Sequence, residues 1–216
     1  MSATKIWAEL DIKIIAILRG VQPSETASIV EALISSGIHA IEIPLNSPTP
    51  FESIENAVRA AETVSDIPCL IGAGTVLEVP DVRRIKDVGG NLVVSPNVEK
   101  AIIEEAVTTQ MFSAPGVFTP SECIRAIDAG AHCLKVFPAN IMGPGGIKAL
   151  SAVFGQRTEL CAVGGIGHPD FKDYLTAGCS AFGLGSLLYR PGMSASEVGQ
   201  LAAECVASFR NAKHSI

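Results

Sequence analysis

Lys135, in the run His132-Cys-Leu-Lys-Val-Phe-Pro138, is a lone cation inside an apolar stretch that reads as a buried strand. Burying an ammonium group is costly, and the usual escape is a lowered pKa that leaves a neutral amine. A neutral lysine amine is the nucleophile that condenses with a ketone to give a Schiff base. The alternative is a structural lysine that snorkels to water or pairs with a carboxylate. In the run Ile41-Glu-Ile-Pro-Leu-Asn46, strand alternation puts Ile41, Ile43 and Leu45 on one face and Glu42, Pro44 and Asn46 on the other. The same parity sends Leu134 and Val136 outward and Cys133, Lys135 and Phe137 inward. An acid and an amine then share one interior, either as an ion pair or as a reactive couple.

Three further features favour chemistry. Ile17-Leu-Arg-Gly20 ends an apolar run with an arginine suited to clamping a carboxylate. Gly72-Ala-Gly-Thr75 combines small residues that admit a ligand with a hydroxyl that can bond it. The turns Val163-Gly-Gly-Ile166 and Gly183-Leu-Gly-Ser186 follow the last two runs, where barrels bind phosphate on backbone amides. Together these residues fit a phosphorylated 2-oxo acid. In class I lyase chemistry Lys135 forms the iminium, Glu42 moves protons, and Pro96 and Phe137 supply apolar walls that keep the amine neutral.

The elements that must hold these groups recur regularly. Short apolar runs begin near Ile14, Ala40, Cys69, Leu92, Phe112, His132, Glu159 and Ala181, at intervals of 20 to 29 residues. Eight strand–helix units predict one α/β domain over residues 1–216, a (β/α)8 TIM barrel with its site at the C-terminal mouth. Pro23-Ser-Glu-Thr26 opens the first helix and Gly37 ends it, while Pro120-Ser-Glu-Cys123 and Gly130 bracket the fifth. Residues 4–10 predict a short helix on the barrel floor, and residues 194–213 predict the last helix.

Composition narrows the partners. The chain is 48% hydrophobic and 18% charged with a net charge of -6, which argues against a nucleic-acid face. No stretch reaches the roughly 20 apolar residues of a membrane span, and the N-terminus lacks a signal-peptide core, so a cytoplasmic protein is expected. The six cysteines contain no CxxC pair, and Cys69, Cys133 and Cys161 fall in apolar runs, so buried reduced thiols are expected. The four histidines have no ligand spacing, and no metal or cofactor is predicted.

The segments Ile14 to Gly20, Ile41 to Pro48, Ile71 to Val76, Val94 to Asn97, Leu134 to Pro138, Val163 to Gly165 and Gly183 to Ser186 stand in this order along nearly the whole chain. In this they resemble the 2-dehydro-3-deoxy-phosphogluconate and phosphogalactonate (KDPG/KDPGal, KHG) aldolase family of class I barrels. The resemblance implies a Schiff base on Lys135, acid/base work by Glu42 and a pyruvate carboxylate held by Arg19 and Thr75. It also implies a substrate phosphate held by Gly164, Gly165, Gly185 and Ser186, a homotrimer, and no metal. Two positions depart from the gluconate-type pattern: Asn46 stands where an arginine is expected, and Val163 where a threonine precedes the paired glycines. The run Ile41 to Pro48 looks like the galactonate-type branch, and Val163 removes a hydroxyl from the pocket. The expected reaction is therefore cleavage of 2-dehydro-3-deoxy-6-phosphogalactonate to pyruvate and D-glyceraldehyde 3-phosphate. The alternatives are the gluconate epimer, dual specificity, a non-covalent sugar-phosphate isomerase or epimerase, and a binding barrel without turnover.

Overall fold

The computed structural model describes residues 1–154 and 158–216. Parallel strands alternate with helices: β1 (Ile14–Ile17), β2 (Ala40–Pro44), β3 (Leu70–Gly74), β4 (Leu92–Val94), β5 (Phe112–Ala114), β6 (Gly116–Val117), β7 (Cys133–Val136), β8 (Glu159–Val163) and β9 (Ala181–Leu184). They lie in the order β5-β4-β3-β2-β1-β9-β8-β7-β6. The fifth predicted strand is thus observed in two pieces, separated by Pro115. Proline has no N–H to give to a ladder, so the strand bends there and divides its partners. β5 pairs with β4 on one side and β6 with β7 on the other. The Lys135 N–H donates to Pro115 O at 2.9 Å and the His132 N–H to Ser113 O at 3.0 Å, which carries the ring of strands across the break. The expected TIM barrel is the fold found.

The helices, among them α3 (Pro50–Val64), α4 (Val79–Asp87), α5 (Lys100–Thr108) and α8 (Phe171–Thr176), start where local chemistry favours them. In α2 (Pro23–Ser35) and α6 (Pro120–Asp128) a proline sits in the first turn, and Thr119 and Glu122 form a capping box ahead of α6. Ser194 and Glu197 do the same for α9 (Ala195–His214). Helical residues Ala139–Phe154 form α7, interrupted at Gly143, whose φ of 67° and ψ of 168° are not helical.

Strand parity separates two apolar regions. Ile14, Ala16, Ile41, Ile43, Leu134 and Val136 point outward into the layer between sheet and helices. Ile15, Ile17, Leu70, Leu92, Phe112, Cys133 and Cys161 fill the barrel, together with Ile6, Trp7 and Leu10 from around α1 (Ala3–Glu9). The expected floor helix is therefore present and acts as a plug. Glu159 fastens it: its Oε1 accepts from Trp7 Nε1 at 3.2 Å and from Lys13 Nζ at 2.7 Å, while Oε2 accepts from Ser180 Oγ at 2.7 Å.

One cysteine differs from expectation. Cys69 precedes β3 and is only half-buried, because the chain enters the sheet at Leu70; its thiol is pushed up to about 11 by burial. The other five cysteines are buried, and all six are free thiols.

Candidate active site

The C-terminal ends of the strands surround an open cleft of about 790 Å³. Eleven of the twelve residues singled out in the sequence line it: Arg19, Glu42, Thr75, Pro96, Lys135, Phe137, Val163, Gly164, Gly165, Gly185 and Ser186. They come from seven strand ends, which only a closed barrel brings together.

Lys135, on β7, is 8% exposed, and its Nζ lies 5.0 Å from the centroid of the Phe137 ring. Burial lowers its pKa below the ordinary lysine value, and the Arg19 cation adds to that, against opposing pulls from Glu42 and Cys161. Glu42, on β2, is 2% exposed. Burial pushes its carboxyl up to about 7, although the charges of Lys135 and Arg19 pull the other way. Both shifts move the groups toward their neutral forms, a carboxylic acid and an uncharged amine. Among the described residues, Glu42 Oε2 is buried without a hydrogen-bond partner. A saturated structural ion pair would not leave that oxygen open, because an unmet buried acceptor is destabilising.

The mouth of the cleft is held by backbone bonds across strand ends. The Leu18 N–H donates to Glu42 O and the Leu45 N–H to Gly74 O, each at 2.9 Å. Arg19 is exposed beside them and donates to Asn46 Oδ1 and, at 3.4 Å, to Thr75 Oγ1. Thr75 adopts φ 55°, a left-handed conformation that is uncommon for a β-branched residue. Such strain concentrates at functional sites, where surrounding structure overrides the local preference. Gly164 and Gly165 follow β8 with φ of 98° and 68°, and a β-carbon on Gly165 would lie 2.4 Å from the Asn140 side chain. Two successive positive-φ residues explain why the pair is glycine.

Asn46 is the residue the cleft does not take. β2 ends at Pro44, so the inward parity that includes Glu42 lapses before position 46. The side chain is exposed and serves Arg19 instead. Sequence reasoning in turn missed Asp170 and Arg190, which also line the cleft. Asp170 ends a single 3-10 turn after β8 and Arg190 stands in an irregular segment after β9, both too short for periodicity to assign direction; the signal available was an arginine four residues beyond the Gly185-Ser186 turn.

A parallel barrel with a buried amine and carboxyl under glycine turns at its mouth fits an aldolase, a carbon–carbon lyase. The chain belongs to the KDPG and KHG aldolase family, which it matches over residues 8–203. It is 54% identical over 196 residues to the probable 2-dehydro-3-deoxy-6-phosphogalactonate aldolase of Rhizobium meliloti (strain 1021), covering 91% of each chain. It is 42% identical over 201 residues to the 2-dehydro-3-deoxy-6-phosphogalactonate aldolase of Escherichia coli (strain K12), covering 93% of this chain and 96% of that one. A solved structure described as native KDPGal superposes with a TM-score of 0.90 at 41% identity, covering 94% of this chain and 97% of the other. No helix is long and apolar enough to cross a membrane among the described residues.

Proposed function

We propose that the protein cleaves 2-dehydro-3-deoxy-6-phosphogalactonate to pyruvate and D-glyceraldehyde 3-phosphate through a Schiff base on Lys135. The observation that carries this reading is the unpartnered, buried Oε2 of Glu42 in the same cleft as an amine held below its ordinary pKa. The neutral amine adds to the C2 ketone, and loss of water from the carbinolamine gives the iminium. Glu42 assists that dehydration, then takes the proton of the C4 hydroxyl as the C3–C4 bond breaks. The bonding pair moves into the iminium to give an enamine, and the aldehyde departs. Protonation at C3 and hydrolysis release pyruvate and return the amine.

Arg19 and Thr75 are suited to the substrate carboxylate, and the turns at Gly164-Gly165 and Gly185-Ser186 to its phosphate. The preference for the galactonate epimer rests on the names of the two relatives and on Val163, which lines the cleft. A valine offers no hydroxyl to discriminate at C4, so activity on the gluconate epimer is the second reading. We further propose a homotrimer, as the family resemblance implies.

The test is intact mass after incubation with pyruvate and sodium borohydride, with Lys135→Ala as control. A reduced pyruvyl adduct on the native chain and none on the variant is expected. No adduct on the folded native chain moves the weight to non-covalent isomerase chemistry.

A further inference from the structure

Arg190 is the cleft's one charged residue beyond β9, and no role in the reaction above uses it. Its position is fixed by its neighbours. The N–H groups of Leu188 and Tyr189 donate to Gly185 O at 2.8 and 3.0 Å, so the segment turns back on the same glycine that opens the proposed phosphate subsite. Tyr189 is 2% exposed, and its hydroxyl donates to Glu25 Oε1 at 2.7 Å. Glu25 in turn accepts from the Gln22 N–H and so belongs to the cap of α2. On the other side Pro191 packs on Gly20, where a β-carbon would lie 2.8 Å from Pro191 Cγ. Met193 closes the segment: its Sδ accepts from the Arg190 N–H at 3.2 Å and its N–H donates to Arg190 O at 3.1 Å.

The side chain at position 190 is therefore exposed but mounted on a braced turn. Among the described residues it has no carboxylate partner to neutralise it. The two turns, with their backbone N–H groups and the Ser186 hydroxyl, offer only neutral donors to a group that carries close to two negative charges. The nearby acid in the cleft, Asp170, opposes an anion, although its Oδ2 is engaged by the Gly167 N–H at 2.8 Å. A guanidinium supplies the charge the turns lack, and its planar fork matches a phosphate's oxygens.

We propose that Arg190 reads the charge of the substrate phosphate, so that it sets how strongly the enzyme prefers a phosphorylated sugar acid over the same acid without phosphate. This rests on the aldolase reading above and adds the residue that enforces one part of its specificity. Arg190→Gln removes the charge from an exposed side chain and keeps the Tyr189 and Pro191 contacts.

The experiment measures kcat/KM of the native chain and of Arg190→Gln for the 6-phosphorylated and the unphosphorylated sugar acid, alongside pyruvate–borohydride trapping on both proteins. The ratio of the two kcat/KM values should fall about ten- to hundredfold in the variant, the usual effect of losing a charge-assisted bond. An unchanged ratio in a variant that still traps pyruvate overturns the assignment while leaving the aldolase reading intact. Weakened pyruvate trapping with the ratio preserved also overturns it, because Arg190 would then serve the carboxylate. Failure of the native chain to trap pyruvate removes the aldolase reading itself, and this inference with it.

Discussion

The carboxylate of Glu42 rests on the bare α-carbon of Gly74, so closely that a β-carbon built there would lie 1.8 Å from Oε2. The two residues come from adjacent paired strands, β2 and β3, with Pro44 opposite Gly74 in the register. A methyl at position 74 must push the carboxyl out of its place. Gly74→Ala should lower kcat at least a hundredfold, the scale of a misplaced acid/base group, and destabilise the fold by about 1–3 kcal/mol through overpacking. Steady-state kinetics and urea midpoints check both. Near-native turnover would mean that Glu42 does its work from elsewhere.

Burial of Glu42 makes activity and stability pull in opposite directions. Its pKa is about 7 in the folded chain against an ordinary 4.5, so between these values the folded state keeps a proton that the unfolded state has released. Stability therefore falls as pH rises through that window, by roughly 3 kcal/mol once pH passes 7. Glu42→Gln has no charge to bury. It should melt at a higher temperature than the native chain at pH 8, with the advantage absent at pH 4, while cleavage drops by roughly two to four orders of magnitude. Thermal melts across pH decide the first point and turnover the second.

Arg19 acts on both reactive groups through space. Its charge lowers the pKa of Glu42 and also that of Lys135. Removing it should raise both, since a carboxylate then loses a favourable neighbour and an ammonium an unfavourable one. Arg19→Gln is expected to move the ascending limb of the kcat/KM profile toward alkaline pH and to raise KM for pyruvate in the aldol direction. A limb that stays in place would show that solvent screens this exposed guanidinium from the buried pair.

Val163→Thr restores a hydroxyl at the cleft wall. The gain from one hydrogen bond to a neutral hydroxyl is only about 0.5–1.5 kcal/mol, so the ratio of kcat/KM between the two C4 epimers should shift toward the gluconate form by about tenfold at most. Assays on both epimers read this directly. A ratio that does not move would shift attention from this wall to other contacts of the C4 hydroxyl.

Much of this was legible because a barrel strand leaves simple marks: an apolar run, a regular return, and side-chain alternation that holds while the backbone stays extended. Strands observed from Ile14, Ala40, Leu92, Phe112, Glu159 and Ala181 begin where the runs begin, and alternation placed Glu42 and Lys135 in the cleft. The same reasoning failed where extension ends. Asn46 lies past the last residue of β2 and turns to Arg19, and Pro115 splits what reads as one run. Arg190 was missed for a related reason: the turn that carries it is braced by Tyr189 on Glu25 and Pro191 on Gly20, distant partners that a local pattern does not contain.

The plug formed by α1 leaves the barrel with a single door. Everything that reaches Lys135 must pass the mouth, and everything made there must go back the same way. On the Schiff-base reading, the aldehyde half is free as soon as the C3–C4 bond breaks, whereas the three-carbon half is still tethered at the bottom of the corridor. Departure is thus a queue with a fixed order, aldehyde first and pyruvate second, and in the reverse direction pyruvate must already be seated before an aldehyde can be of use. The tether sets that order, and the helix that closes the far end of the barrel makes both halves share one way out.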